Sequence, residues 1–215
     1  MAFAELFVWR RLALALAGGV LFWLAQRALR GRLGRSVRRE AAAAAAGLLT
    51  GGVNACLSAP GPALLLTGFF AVLAAVAAVD AATQEIPDGF HPVLLALGAA
   101  ACWGMPAVPL WSRAVGAACI SVPMLALSLW KEGAFGGGDI KLMACCGFFL
   151  GTKLTLLAFL FAVLGGGVYG MVLLARRQAG RGDHFAFGPF LCAGMFVSVY
   201  WGEAALEWYL RLCGW

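Results

Sequence analysis

The sequence predicts an all-α protein, a polytopic membrane bundle of about eight transmembrane or partly embedded helices. Of its 215 residues, 63% are hydrophobic and only 12% are charged, about half the charged fraction of a soluble domain. The apolar residues also form long runs that are separated by short polar stretches. A chain of this length suits one compact bundle rather than several domains.

Eight apolar segments are predicted in order along the chain. With ends placed to within a few residues, they lie at about 5–26, 41–58, 62–80, 91–105, 112–130, 140–151, 154–175 and 186–208. The first segment is interpreted as a retained helix rather than a secretory signal. It is followed by a basic cluster, and it lacks a convincing small-residue cleavage site. The whole chain, 1–215, is predicted to be one integral membrane domain with a helical hairpin at 1–59 and a core at 60–208.

Basic residues set the predicted topology. The loop after the first segment should be cytoplasmic, because it carries six arginines: Arg27, Arg30, Arg32, Arg35, Arg38 and Arg39. Alternation then places loops 81–90, 131–139 and 176–185 on the same side and both termini outside. Eleven of the sixteen basic residues fall on the cytoplasmic side and five outside. This asymmetry accounts for the net charge of +6 without nucleic acid as a partner.

The metal-ligating and redox residue types show no functional spacing. None of the seven cysteines forms a Cys-x-x-Cys pair, and the two histidines lack a His-x-x-x-His spacing. Neither a zinc site nor a thiol redox motif is supported. Most of the cysteines lie in apolar segments, where a free thiol behaves as a small hydrophobe. We therefore predict no metal and no cofactor.

Two carboxylates stand out in a chain with only ten acidic residues. Asp80 ends the third apolar segment, and Asp139 immediately precedes the sixth. Ionisable groups at membrane depth are costly and rare unless they serve ion movement, proton transfer or catalysis. The topology places both on the cytoplasmic face. The segment after Asp139 would cover only about 18 Å of a core about 30 Å thick, which would bring water toward the carboxylate.

A pair of adjacent carboxylates can hydrolyse an amide without a metal, a serine nucleophile or a histidine base. The two groups share one proton because both cannot ionise cheaply when they are close. The ionised Asp takes a proton from water, while the protonated Asp hydrogen-bonds to the carbonyl oxygen. Asp80 and Asp139 are therefore candidate catalytic residues.

Residues around Asp139 allow two interpretations each. Gly136 and Gly138 either form a flexible entry to a helix or allow an extended substrate backbone to approach closely. Lys141 either anchors the segment at headgroup depth or tunes the carboxylate. Phe187, Gly188 and Pro189 most simply begin a helix, with proline in its first turn.

Three motifs in the chain resemble those of a known family. They are Asp80 followed by Ile86-Pro87-Asp88, then Gly136-Gly137-Gly138-Asp139-Ile140-Lys141-Leu142, then Phe187-Gly188-Pro189-Phe190-Leu191. Their order resembles that of the type IV prepilin peptidases, which are Gly-x-Gly-Asp aspartic proteases of bacterial and archaeal membranes. The resemblance covers about residues 60–205 and is strong because all three motifs occur on eight hydrophobic segments.

The resemblance implies a function and a set of site residues. Family members cut the short basic leader from prepilins and pseudopilins on the cytoplasmic side of the prokaryotic inner membrane. The catalytic pair maps onto Asp80 and Asp139. The substrate-binding or supporting residues would be Gly136, Gly138, Lys141, Pro87, Asp88, Gly188 and Pro189. Glu85, Asp88 and Glu132 are candidate partners for the basic leader, and the other expected partner is the lipid bilayer.

The chain departs from the larger bacterial members at one place. Those members carry a cytoplasmic domain with paired Cys-x-x-Cys motifs after the first helix, and they N-methylate the new amino terminus. Here residues 27–40 are a basic stretch without cysteine. A peptidase without methyltransferase activity is therefore expected, the alternative being one that methylates by means that the sequence does not show.

Two other functions are alternatives for a membrane bundle with these two carboxylates. A small proton-coupled transporter could use the same Asp pair as a relay, but both carboxylates lie at one surface and no inverted repeat is evident. A non-catalytic membrane scaffold would make the three motifs a coincidence. The sequence does not indicate an oligomeric state.

Overall fold

A computed structural model describes residues 2–29, 31, 37–57, 59–131, 135–176 and 186–214, and these ranges form α-helices without strands. The all-α prediction is confirmed. In chain order the helices are α1 (Ala2–Ala28), α2 (Val37–Leu57), α3 (Pro60–Thr83), α4 (Phe90–Gly104), α5 (Leu110–Cys119), α6 (Ser121–Trp130), α7 (Gly137–Leu150), α8 (Thr152–Ala175) and α9 (Gly188–Leu212). Glu132 and three of the six clustered arginines, Arg30, Arg32 and Arg35, lie outside the described residues.

The eight predicted segments correspond to these helices, with one division. The fifth segment is split into α5 and α6, which meet at Ile120. Four helical stretches are long and apolar enough to cross a membrane: α3, α5 together with α6, α8 and α9. The chain is therefore a polytopic membrane bundle. Its orientation and the division into 1–59 and 60–208 stay predictions.

The core forms where α3 and α9 pack and where α7 meets α4 and α5. Phe69 of α3 stacks on Phe149 of α7 with ring centroids 4.2 Å apart. Leu142, Met143 and Met195 are at most 1% exposed in the same cluster. Because lipid is as apolar as these side chains, close packing rather than burial from water holds such helices together. This packing joins α3 and α7, the two helices that carry Asp80 and Asp139.

A polar bridge inside the bundle links three helices. Asn54 of α2 donates from Nδ2 to Thr67 Oγ1 of α3 at 3.0 Å, and Tyr200 of α9 donates from its hydroxyl to Asn54 Oδ1 at 2.7 Å. Thr67 in turn donates to the Ala63 carbonyl. Asn54 and Thr67 are almost fully buried. Hydrogen bonds of this kind stabilise helix association within a bilayer.

Arg113 of α5 is fully buried and binds the ends of two other helices. Its Nη2 donates to the carbonyls of Ala101 and Met105, at the end of α4, at 2.9 and 3.0 Å. Its Nη1 donates to the carbonyls of Phe148 and Phe149, at the end of α7, at 3.3 and 2.7 Å. Helix carboxyl ends carry carbonyls without an intrahelical partner and a partial negative charge. One guanidinium therefore supplies donors and positive charge to the ends of both α4 and α7.

Helix α7 is short, as the sequence predicted. It has 14 residues, which corresponds to about 21 Å along its axis. It ends at Gly151, whose φ of 78° lies in the left-handed region, and α8 begins at the next residue. The two helices therefore stay separate rather than merging into one long rod. The amino end of α7 carries Asp139.

Candidate active site

Asp80 lies in the last turn of α3 and is 4% exposed. Its Oδ2 accepts a hydrogen bond of 2.9 Å from the backbone N–H of Gly188, the first residue of α9. Helix α3 ends just beyond, where Gln84 adopts φ 55° and donates its N–H to the Asp80 carbonyl at 2.8 Å. Residues of two distant sequence motifs thus meet at one carboxylate.

Asp139 occupies the third helical position of α7, after the N-cap Gly136. A carboxylate at that position can reach back to the N-cap amide, and it also gains from the positive end of the helix dipole. Its Oδ1 is buried and has no hydrogen-bond partner among the described atoms. Asp139 lies outside the four candidate membrane-crossing stretches. Burial raises the pKa of Asp139 to about 6, and the neighbouring Asp80 charge contributes a smaller part of this rise. The hydrogen bond from the Gly136 backbone acts in the opposite direction and lowers the pKa.

Both carboxylates line one polar cavity of about 370 Å³. Its remaining lining comes from the loop after α3 and from the start of α7: Gln84, Glu85, Ile86, Asp88, Gly136, Gly137, Gly138 and Lys141. The prediction that the two acids share one end of the bundle is therefore confirmed. The cavity therefore brings the two carboxylate-bearing residues to one polar site.

Gly188 is required by its contact with Asp80. A Cβ built at Gly188 would lie 2.6 Å from Asp80 Oδ2 and 2.9 Å from its Cγ. No side chain larger than hydrogen fits without displacing the carboxylate. The helix-start interpretation of Gly188 and Pro189 is confirmed, and the contact with Asp80 adds a reason that the sequence alone did not provide.

We expect Gly188→Ala to reduce the catalytic rate about a hundredfold, because a misplacement of about 1 Å at a reacting group has that cost. The measurement is kcat on a prepilin-like precursor, the substrate that the sequence resemblance implies. Gly167→Ala is the matched control, since that glycine also lies in a helix and a Cβ there would meet nothing within 4 Å. Equal rates for the two variants would show that the contact with Asp80 has no catalytic importance.

Gly138 and His91 hold the start of α7 against the loop that follows α3. A Cβ on Gly138 would lie 2.9 Å from Ile86 Cβ and 3.4 Å from the Ile86 carbonyl oxygen. His91 is 8% exposed, and its Nε2 lies 3.4 Å from the Gly138 carbonyl oxygen. In the sequence, the place of His91 directly before Pro92 is typical only of a helix start. The distance between residues 91 and 138 in the chain concealed the contact.

Lys141 pairs with Asp88 at the exposed rim of the cavity. Its Nζ lies 2.7 Å from Asp88 Oδ1. The hydrogen bond and the charge of Lys141 lower the pKa of Asp88. The two sequence interpretations of Lys141, lipid anchoring or tuning of Asp139, did not include this partner. The pair links the loop after α3 to α7 across the mouth of the cavity.

Three predicted supporting residues do not line the polar cavity: Pro87, Pro189 and Gly188, which contacts Asp80 through its backbone amide. The Pro87 carbonyl accepts a hydrogen bond of 3.2 Å from the Phe90 N–H and thereby shapes the turn into α4. Pro189 lines a second, apolar cavity instead. Within the described ranges there is no cluster of three His, Cys, Asp or Glu residues that could hold a metal ion.

Comparison with known proteins identifies relatives along much of the chain. A prepilin leader peptidase/N-methyltransferase of Bacillus subtilis (strain 168) is 30% identical over 144 residues, which are 67% of this chain and 58% of that protein. One from Burkholderia pseudomallei (strain 1026b) is 32% identical over 183 residues, 79% of this chain and 56% of that protein.

A third such relative, from Pseudomonas aeruginosa (strain ATCC 15692 / PAO1), is 32% identical over 154 residues, which are 66% of this chain and 51% of that protein. The chain thus spans between 51% and 58% of the length of these three relatives. No solved structure matches the chain. Residues 67–171, which contain Asp80 and Asp139, match the sequence profile of the type IV leader peptidases. Over these residues the chain carries a domain of the type IV leader peptidase family.

Proposed function

We propose that this protein is an aspartic endopeptidase that removes the basic leader from type IV prepilin-like or pseudopilin precursors at the cytoplasmic face of the inner membrane. The observation that carries the proposal is the placement of Asp80 and Asp139 in one polar cavity. The type IV leader peptidase domain and the names of the relatives support the same activity. Nothing in the comparisons favours a proton-coupled transporter.

The geometry supports a division of roles between the two acids. Asp139 is the candidate to carry the shared proton, because its pKa is raised to about 6. Asp80, held by the Gly188 amide, is the candidate to accept a proton from water. Such a pair activates water on one side of a carbonyl and polarises the carbonyl oxygen on the other.

The reaction can be written so that its protons balance. The water oxygen attacks the scissile carbonyl carbon while one water proton passes to Asp80 and the Asp139 proton passes to the carbonyl oxygen. A tetrahedral diol results. Its C–N bond then breaks as Asp80 protonates the leaving nitrogen and one hydroxyl of the diol returns a proton to Asp139. Both side chains end in their starting protonation states.

The rim of the cavity suits a basic leader. Glu85 and Asp88 contribute carboxylates there. An extended, positively charged peptide would gain favourable long-range attraction from them. Asp88 is already paired with Lys141, so leader binding by Asp88 would require it to exchange partners. The third predicted acid, Glu132, lies outside the described residues.

We expect the purified protein in detergent or liposomes to cut a prepilin precursor after its leader and to leave the new amino terminus unmethylated. The absence of cysteine from residues 27–40 underlies the second part. Amino-terminal sequencing locates the cut, and mass spectrometry with a methyl donor present detects any added methyl group. An intact precursor would refute the peptidase proposal, whereas a methylated product would refute only the proposal that methylation is absent.

A further inference from the structure

A second cavity, of about 440 Å³, lies between α1, α2, α3 and α9 and is lined almost entirely by apolar side chains. Phe22 of α1 closes its inner side, and Ala46 and Leu49 of α2 form one edge. Leu49 is 71% exposed, so the cavity opens laterally toward the surroundings of the bundle. We call it the apolar groove. Its volume falls in the range of about 300–1,000 Å³ that is typical of ligand sites.

One wall of the apolar groove leads directly to the proposed catalytic acid. Phe70, Leu73, Ala74 and Ala77 of α3 line it, with the spacing i, i+3, i+4 and i+7 that marks one helix face. The next position on this face is Asp80, about 4.5 Å further along the axis at 1.5 Å per residue. The same helix face is therefore apolar along the groove and acidic at its end.

The opposite wall follows the same pattern on α9. Pro189, Cys192, Ala193 and Phe196 line it, again at i, i+3, i+4 and i+7. The residue before this wall is Gly188, whose amide binds Asp80. Both walls of the apolar groove thus run toward one carboxylate from the same direction. The groove therefore ends close to the proposed catalytic site.

The side chains of the groove suit an apolar helix as its occupant. Four of the lining residues are alanines: Ala46, Ala74, Ala77 and Ala193. Small residues let a neighbouring helix approach closely within a membrane. A basic leader would not enter a groove without charged lining residues. An apolar helix lying in the groove would deliver the chain that precedes it to Asp80.

We propose that the apolar groove binds the membrane helix of the precursor, the segment immediately after the scissile bond. This inference rests on the proposed function and extends it to substrate specificity. The leader would then occupy the polar cavity while the helix occupies the groove, with the scissile bond held between them at Asp80 and Asp139. Binding energy from the helix would position the bond that reacts.

The first test fills the groove. Ala193→Trp places a large ring at an exposed groove position, and Ala204→Trp is the matched control at an exposed position of α9 outside the groove. Two substrates are compared for each variant: the full precursor and a leader peptide that ends shortly after the scissile bond. The kcat/KM value for the full precursor is divided by the value for the leader peptide. We expect this ratio to fall at least tenfold with Ala193→Trp and to stay unchanged with Ala204→Trp.

The second test detects the helix directly and does not require catalysis. A photo-cross-linking amino acid is placed at Leu49 in the Asp139→Asn background, with Leu164 of α8, which is 57% exposed, as the control position. We expect Leu49 to cross-link to the helix of a labelled precursor. An excess of unlabelled precursor should abolish that cross-link. No such cross-link should form from Leu164.

The possible outcomes separate the two proposals. If the unmodified protein does not cut the precursor, the proposed function fails regardless of the groove. If it cuts the precursor but Ala193→Trp leaves the substrate ratio unchanged, the groove proposal is overturned. Cross-linking from Leu49 only to lipid would also overturn it, because the groove would then hold an acyl chain.

Discussion

Asp80→Asn and Asp139→Asn should each reduce cleavage of a prepilin precursor about a thousandfold or more. General acid–base groups contribute about 10² to 10⁴ to rate, and groups that act as a unit are not additive. Either substitution removes one of the two carboxylates that share the proton. An amide in its place neither accepts a proton from water nor donates an acidic proton. The double variant should therefore be little worse than either single one.

The measurement is kcat/KM on purified variants that insert and unfold as the unmodified protein does. Glu203→Gln is a suitable control, because this exposed acid pairs with Lys153 on the lateral surface of α8 and α9. It removes one negative charge without approaching the cavity. A variant at either catalytic position that cuts at an ordinary rate would eliminate the acid pair as the mechanism.

Arg113→Met should lower the free energy of unfolding by about 3–5 kcal/mol, because it removes several buried hydrogen bonds from a charged donor that are worth about 1.5–3 kcal/mol each. The guanidinium donates to carbonyls at the ends of both α4 and α7. Its loss leaves the Phe148 and Phe149 carbonyls without this donor, at about 1–3 kcal/mol for each. The Ala101 and Met105 carbonyls still accept from the Met105 and Val108 amides. Arg113→Lys should recover only part, since one ammonium cannot reproduce the planar fork of donors.

Unfolding in mixed micelles measures the difference. Arg211→Met is the control, because Arg211 is 80% exposed and makes only a surface pair with Glu207 3.6 Å away. It should change the free energy of unfolding by less than about 1 kcal/mol. If Arg113→Met unfolds at the same denaturant concentration as the Arg211 variant, the carbonyls at the two helix ends need no cation.

The helices and the two acids could be predicted from the sequence because both leave local signals. Apolar runs of 18 or more residues indicate membrane helices. A carboxylate at the end of such a run is unusual enough to indicate function. Gly136, Gly138 and Asp139 also follow one another in the chain, so their proximity did not depend on the fold. The cavity confirms that Asp80 joins them.

Contacts between distant residues were not predictable in the same way. The sequence placed Arg113 only among the five basic residues on the non-cytoplasmic side. Nothing near it in sequence indicates that it binds the ends of α4 and α7. His91 and Lys141 find their partners 47 and 53 residues away. The apolar groove was missed for a related reason. Its lining residues look like ordinary membrane-helix residues until four helices are assembled around them.

The one-residue connection at Gly151 has a consequence for the depth at which the chemistry occurs. A helix with loose loops at both ends could slide along the membrane normal independently of its neighbours. Helix α7 lacks that freedom at its Gly151 end, where α8 follows at once and Ser112 accepts a hydrogen bond from the Thr152 amide. The vertical position of Asp139 is therefore tied to the anchoring of α8, and bilayers of different thickness would move the two together.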